Sequence, residues 1–433
     1  MDTVRPATLS YPIHAHRLDN GLRVVVSPDH SVPVVAVNLW YDVGSRDERP
    51  GQLGWAHLFE HLMFSGSAHV SSGEHLQLLQ SLGGSVNATT WFDRTNYFET
   101  VGLGALDLAL WLEADRLATL ADHLAESSVE TQREVVKEEK RQRYDNVPYG
   151  RAMSELATLV FGPDHPYGHT TIGSMADIDA AKASSAADFF RTHYRPDNAV
   201  ISLVGDVNPR DAFKRVDRAL GWIPSSRGPA RESVSGLAPL TGIPQATLDD
   251  PVPAPASYLA WRLPPRDTPA FDACDLALSI LGAGQTARLH QRIVRERGLA
   301  AAVGAQALGL IGGNSLGLAH VRALPGRSAV EATEATLAEI DRMAADGPTA
   351  EELARAKAQY AREWLTELAR FDSRADAISA FATLHSDPDR INLRLAEVEA
   401  VDAEAVQAAA SSYLRSASRA QLDYTDGMSD ATA

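Results

Sequence analysis

Residues 178–206, IDAAKASSAADFFRTHYRPDNAVISLVGD, are matched almost half the chain later by residues 398–426, VEAVDAEAVQAAASSYLRSASRAQLDYTD. Both stretches have the pattern of an amphipathic helix that leads into an apolar strand. Tyr194 corresponds to Tyr413 when one residue is skipped. A pattern that returns at this distance indicates one duplicated domain rather than two unrelated domains.

Strand and helix patterns are mixed in both halves without strict alternation. In the first half, strands are predicted at 22–26, 34–42, 85–91, 95–101 and 199–204, and helices at 53–64, 74–82, 105–144 with a break near 126, 184–194 and 211–220. In the second half, a strand is predicted at 258–263, helices at 270–281 and 287–297, then two strands, then long helices from 329 to 370. The sequence therefore predicts an α+β protein of two homologous domains, each a mostly antiparallel sheet packed with helices.

A proline-rich segment separates the two halves. Prolines at 229, 239, 244, 251, 253 and 255 are expected to interrupt any regular element there. We therefore expect domains at 1–228 and 257–433, joined by a linker at 229–256.

Composition excludes several classes of function. The 433 residues are 45% hydrophobic and 22% charged, as in folded globular proteins. The formal net charge of −16 opposes binding to nucleic acid and to anionic membrane surfaces. Cys274 is the single cysteine, so neither an internal disulfide nor a cysteine-only metal cluster can form.

The segments that could target a membrane also have ordinary explanations. The N-terminal residues lack the apolar core of a signal peptide, which predicts a cytoplasmic protein, although a trimmed form of an exported precursor would look the same. Residues 299–321 carry no charge and are long enough to span a bilayer. Their glycines and the Gly312-Gly313-Asn314 sequence favour two buried strands around a turn.

The sequence GWAHLFEHLMF, residues 54–64, carries the chemistry. The spacing i, i+3, i+4 places His57, Glu60 and His61 on one face of a helix, with Leu58, Leu62 and Met63 towards the other. Two imidazoles one turn apart form half of a tetrahedral zinc site, and the carboxylate beside them can take a proton from water. The pattern also arises by chance among 14 histidines, so the flanking residues decide its meaning.

Those flanking residues resemble the insulinase/pitrilysin family of zinc peptidases. The resemblance is carried by LDNGLRVVV (18–26), DVGSRDE (42–48), GWAHLFEHLMFSGS (54–67), GGSVNATTWFDRTNYF (83–98), QREVVKEEKRQRYDN (132–146), HPYGHTTIG (165–173) and, more thinly, GAGQTARLHQRIVRERGLA (282–300). It is nearest to short bacterial members similar to the zinc-bearing β-subunit of the mitochondrial processing peptidase. It implies two homologous domains arranged as a clam shell around a peptide.

The resemblance also implies roles for particular residues. His57 and His61 are expected to bind zinc, with Glu60 as the general base. Glu139 is expected as the third ligand, and Glu138 is the alternative. Without the upstream motif, the charged residues 138–141 would indicate a solvated helix face.

The resemblance also predicts a substrate-binding strand. Asn87 and Ala88 are expected on an edge strand that binds substrate by strand addition; a simple polar edge strand is the equally weighted alternative. The matching second-half helix, 270–282, has no His or Glu, so one zinc per chain is expected.

Departures from the family pattern point to a partner. Gln132 stands where the family has an outer glutamate, and Ala301 and Val294 stand where active relatives have a substrate-binding tyrosine and arginine, with Arg295 one residue away. The resemblance therefore suggests a heterodimer with a homologous subunit that lacks the zinc motif and supplies the Arg and Tyr. A non-catalytic structural core subunit is the alternative, and a peptide-binding module with structural zinc is a weaker one.

Overall fold

The computed structural model describes residues 9–225, 228 and 233–425. The strands are His14–Arg17 (β1), Arg23–Pro28 (β2), Val34–Tyr41 (β3), Ser85–Thr90 (β4), Thr95–Gly102 (β5), Ala199–Gly205 (β6), Gln245–Asp249 (β7), Ala256–Leu263 (β8), Ala300–Leu308 (β9), Ser315–Ala323 (β10) and Ala420–Thr425 (β11). The helices are Trp55–Leu62 (α1), Glu74–Ser81 (α2), Leu106–His123 (α3), Glu126–Lys140 (α4), Ala152–Phe161 (α5), Met175–Ala180 (α6), Ala183–His193 (α7), Pro209–Leu220 (α8), Pro269–Gly282 (α9), Ala329–Asp346 (α10), Ala350–Leu368 (α11), Phe371–Leu384 (α12), Arg394–Glu399 (α13) and Ala403–Tyr413 (α14).

Each half of the sequence forms one mixed sheet, and the two sheets have the same strand order except that β1 has no counterpart in the second. The first sheet is β1-β2-β6-β3-β5-β4, and the second is β7-β11-β8-β10-β9. In each, one pair is parallel, β2 with β6 and β7 with β11, while the other pairs are antiparallel. The predicted duplication and the α+β class are confirmed.

The chain folds into two compact units that are discontinuous in sequence. One unit contains residues 1–138, 171–232 and 363–395, and the other contains 139–170, 233–362 and 396–433. The first unit includes α12, which packs against β3 and β6. The second includes α5, which packs against β8 and β11, the equivalent strands of the second sheet. Each half of the sequence thus contributes one helix to the sheet of the other half.

The core of the first unit depends on this contributed helix. Val25, Ala36, Val200 and Val204 of the sheet form one apolar cluster with residues of the 363–395 segment, including Leu368, Phe371, Ile378 and Phe381. In the second unit, α9, α10 and α14 pack together on the sheet around the buried side chains of Trp261, Leu281 and Ile340.

The structure corrects one expectation about the proline-rich segment. β7 lies inside it, between Pro244 and Pro251, and pairs in parallel with β11. Both prolines lie outside the strand, so they do not remove its ladder hydrogen bonds. Residues 229–232 of the predicted linker lie outside the described residues, and the predicted domain limits stay a prediction.

The uncharged segment 299–321 forms the predicted pair of strands, but only β10 is mostly buried, whereas most side chains of β9 are half-buried or exposed. β9 and β10 are antiparallel and enclose the Gly312-Gly313-Asn314 turn region. Among the helices of the described part of the chain, none is long and apolar enough to cross a membrane.

Candidate metal centre

The helix α1 presents its predicted polar face away from the core. Leu58, Phe59 and Leu62 are buried on one side, whereas His57, Glu60 and His61 are half-buried on the other. The rings of His57 and His61 have centroids 4.9 Å apart at an interplanar angle of 86°. The amphipathic pattern therefore fixes the helix by its apolar side and leaves three polar side chains together on the other.

Glu139 completes a group of three donors. One nitrogen of each of His57 and His61 and one carboxylate oxygen of Glu139 all lie within 4.8 Å of one another. Glu138, the alternative considered from the sequence, is exposed, while the Glu139 side chain is 17% exposed and pairs with Arg143 at 2.7 Å. Two imidazoles and one carboxylate suit Zn²⁺ and leave its fourth position open.

The helix that bears Glu139 is fixed by its own buried and polar contacts. Val129 and Val136 of α4 are fully buried. Arg133 donates hydrogen bonds to the carbonyls of Asp179 (2.9 Å) and Ala181 (3.1 Å) at the end of α6. These contacts lie about one, two and three turns before Glu139, so they restrict where its carboxylate can point.

A buried polar network lies beneath α1, and sequence reasoning did not find it. Tyr97 donates to the carbonyl of Phe59 at 3.3 Å, and its hydroxyl lies 3.4 Å from that of Tyr194. Burial raises the pKa of both phenols, and the nearby Glu60 carboxylate adds to the increase. The phenols therefore remain protonated beside the residue predicted to act as a base.

The same network contains an ion pair in the core. Arg116 donates to Glu113 at 3.0 Å and lies 4.5 Å from the ring centroid of Tyr97. Burial and the neighbouring Glu113 raise the pKa of Glu99 well above its ordinary value, so Glu99 stays protonated. Burial, with a contribution from Arg116, lowers the pKa of His75 to about 2 and keeps that ring neutral. Glu113 and Arg116 lie one turn apart on α3, but the groups around them come from β5 and α2, so helical spacing alone does not predict the network.

The predicted substrate strand lies at an edge. β4 is the last strand of the first sheet, pairs with β5, and packs against α1. Asn87 is exposed and Ala88 is buried, and the N–H of Ala88 donates to the side-chain oxygen of Asn87 at 2.9 Å. The large side chain of Trp91, just beyond the strand, is 39% exposed.

The positions that the family resemblance marks as departures from its pattern have distinct environments in the second unit. Ala301 is exposed near the start of β9, and Arg295 is exposed in the preceding helical turn. Val294 instead packs against the apolar core. Its side chain therefore serves packing within the unit.

Comparison with known families places both halves in one group. Residues 23–157 match the family described as Insulinase (Peptidase family M16), and residues 181–360 match the one described as Peptidase M16 inactive domain. His57, Glu60 and His61 lie within the first match.

Individual relatives agree with this result. An uncharacterised zinc protease of Mycobacterium tuberculosis is 31% identical over 91% of this chain and 89% of its own length. The zinc protease PqqE of Helicobacter pylori is 32% identical over 65% of this chain, a match that spans 64% of that protein, less than two thirds. The crystal structure of a protease from Helicobacter pylori is similar with a TM-score of 0.89, 25% identity, and coverage of 96% of this chain and 99% of that one.

Proposed function

The chain belongs to the insulinase family, peptidase family M16, and on that premise we propose that it is a zinc-dependent endopeptidase that hydrolyses extended peptides. The names of its relatives as zinc proteases support zinc as the metal, with one ion per chain. The family membership supports a peptide as the substrate.

The cluster of His57, His61 and Glu139 carries this proposal. Its donor atoms lie within 4.8 Å of one another, and Glu60 lies on the same face of α1 as the two imidazoles. Three protein ligands with an acid beside them are the arrangement of a catalytic rather than a structural zinc site, because structural sites fill all four positions with protein.

The residues have separate roles in the proposed reaction. His57, His61 and Glu139 would hold the zinc ion, which would supply a Lewis acid able to polarise a peptide carbonyl and lower the pKa of water. Glu60 accepts the proton of the attacking water and delivers it to the leaving amine. Burial keeps the phenols of Tyr97 and Tyr194 protonated beneath α1, so neither can accept the proton in place of Glu60.

The edge strand β4 is the proposed substrate-binding element. A peptide added alongside it would use backbone hydrogen bonds, which give affinity with loose side-chain selection. The Ala88 N–H, now bonded to Asn87, can exchange that internal bond for one to a peptide carbonyl. The packing of α1 against β4 supports a peptide path close to the candidate metal centre.

We also propose a partner subunit. The exposed Ala301 provides no hydroxyl and Val294 is committed to the core, so neither position offers the side chain with which active relatives bind substrate, while Arg295, one residue from Val294, is exposed. A homologous subunit that lacks the zinc motif would supply the Arg and Tyr. Turnover of the chain alone and with a co-encoded homologue, at equal zinc content, tests this idea, and full activity of the isolated chain would refute it.

The experiment for the main proposal is zinc analysis coupled to cleavage of a quenched, unstructured peptide. We expect about one zinc per chain, cleavage that a chelator abolishes, and recovery on adding zinc. Full zinc content without cleavage, alone and with the homologue, would favour the non-catalytic core subunit. The cytoplasmic location inferred from the N-terminal residues stays a prediction.

A further inference from the structure

The helix that carries the two histidines has no capping side chain of its own. Gly54 occupies the cap position with φ 98° and makes no side-chain cap. A Cβ added there would lie 2.9 Å from the carbonyl oxygen of Ile172. Glycine fits because both the left-handed backbone and this neighbour disfavour a side chain. The first N–H groups of α1 must therefore find acceptors elsewhere in the chain.

Glu48 supplies those acceptors from outside the helix. Its Oε2 accepts the N–H of Gly54 and its Oε1 accepts the N–H of Ala56, each at 2.7 Å. The residue is 8% exposed, so these bonds are shielded from water. Asp177 accepts the neighbouring N–H of Leu53 at 2.9 Å. Two acidic side chains thus hold the start of α1, and one of them reaches inside its first turn.

The loop that carries Glu48 is fixed to the end of the edge strand. The N–H groups of Ser45 and Arg46 donate to the carbonyls of Trp91 (3.2 Å) and Phe92 (3.0 Å). Arg46 also pairs with Asp93 at 2.9 Å, and both side chains are buried. Glu48 therefore connects a loop bonded to the segment after β4 with the first turn of α1.

We propose that Glu48 is a positioning residue for the zinc site, acting through the first turn of α1; this inference rests on the proposed function. His57 directly follows Ala56, and His61 lies one turn later, so fraying of the first turn would displace the first imidazole and loosen the second. The charge of Glu48 also contributes. The positive end of the α1 dipole disfavours a zinc ion bound nearby, and the Glu48 carboxylate offsets that positive charge.

Zinc affinity in Glu48→Gln and Glu48→Asp tests the assignment. Gln keeps one acceptor oxygen but presents an NH₂ group to the other N–H, and Asp keeps the charge but is too short to reach both. We expect zinc affinity, measured by competition with a chromophoric chelator, to fall roughly tenfold to a hundredfold in the Gln variant and less in the Asp variant.

The matched control is Glu352→Gln, because Glu352 accepts the Thr349 N–H at 2.8 Å at the start of α11. It should leave zinc affinity unchanged.

Amide hydrogen exchange of the metal-free protein gives a readout that does not depend on activity. We expect the Gly54 and Ala56 amides to exchange at least tenfold faster in Glu48→Gln and at the native rate in Glu352→Gln.

Native zinc affinity in Glu48→Gln would overturn the assignment, as would equal zinc loss in the control. If Glu48→Gln does not fold by circular dichroism, Glu48→Asp decides by the same criteria. A native chain that binds zinc but cuts no peptide would refute the proposed activity alone, and one that binds no zinc would refute both.

Discussion

The side chain of Asp376 on α12 accepts a hydrogen bond from the indole N–H of Trp40 on β3 at 2.7 Å. The same oxygen accepts from the buried Asn96 of β5 at 2.8 Å. With Asn38 of β3 at 3.4 Å, Asp376 thus accepts from three donors of the first sheet, although its helix comes from the other half of the sequence. A buried donor without an acceptor is costly, so this contact fixes the position of α12 as well as contributing stability.

Asp376→Ala should therefore destabilise the fold. The Trp40 and Asn96 donors lose their acceptor inside the protein, and we expect the free energy of unfolding to fall by about 2 kcal/mol. Asp372→Ala on the same helix is the control, because its partner Arg370 is 71% exposed and such pairs contribute about 0–1 kcal/mol. Denaturant unfolding measures both, and an equal effect of the two changes would contradict the role of Asp376.

The contributed helix should also be required for the first unit to fold. Residues 1–232 alone leave Val25, Ala36, Val200 and Val204 without Leu368, Phe371 and Phe381, so the fragment should bind a hydrophobic dye and unfold without cooperativity. Fusing residues 363–395 through a flexible linker should restore a cooperative transition. A fusion of residues 329–361, equal in length but taken from the other unit, should not. Cooperative unfolding of residues 1–232 alone would show that the sheet needs no contributed helix.

Asp47 should make stability fall with rising pH. Burial raises the pKa of Asp47 from an ordinary value of 3.8 to about 7, although the neighbouring Arg46 lowers it in part. Between these values the folded chain holds a proton that the unfolded chain has released, so stability is lost as pH rises through this window. Relative to Asp47→Asn, the native chain should lose up to about 1.4 kcal/mol per pH unit between about pH 5 and 7. The Asp188→Asn control should follow the native curve, since that side chain is 81% exposed.

The two neighbouring glutamates of α4 should differ in their effect on zinc. Glu139→Gln should lower zinc occupancy strongly, because a neutral amide replaces the carboxylate that faces the two imidazoles. Glu138→Gln should retain zinc, because its side chain is exposed. Metal analysis after dialysis against a weak chelator compares them, and loss of zinc only in Glu138→Gln would reverse the assignment.

Much of the fold follows from local pattern. The predicted strands at 34–42, 95–101 and 199–204 differ from β3, β5 and β6 by one residue at an end, because their apolar runs are bounded by turn residues. The contributed helix α12 has no such signal. It is buried on most sides, from Phe371 and Arg374 to Phe381 and Thr383, so no single apolar stripe appears at helical period. Its packing on the first sheet depends on long-range contacts that periodicity does not contain.

The candidate site divides in the same way. The face shared by His57, Glu60 and His61 follows from helical spacing, while Glu139 required the family resemblance, since 78 residues separate it from His61 along the chain. The sequence does not predict Glu48 as a cap, because its carboxylate comes from a loop outside the helix. The glycine at the cap position by itself indicates a helix without a side-chain cap.

The most direct test of the account is Glu60→Gln, assayed for zinc content and peptide cleavage on the same preparation. Because Glu60 is assigned to proton transfer, the variant should keep about one zinc per chain while cleavage falls by about two to four orders of magnitude. Its unfolding midpoint should stay close to that of the native protein, since the side chain lies on the half-buried face of α1. Loss of zinc, or native turnover with zinc retained, would contradict the role given to Glu60.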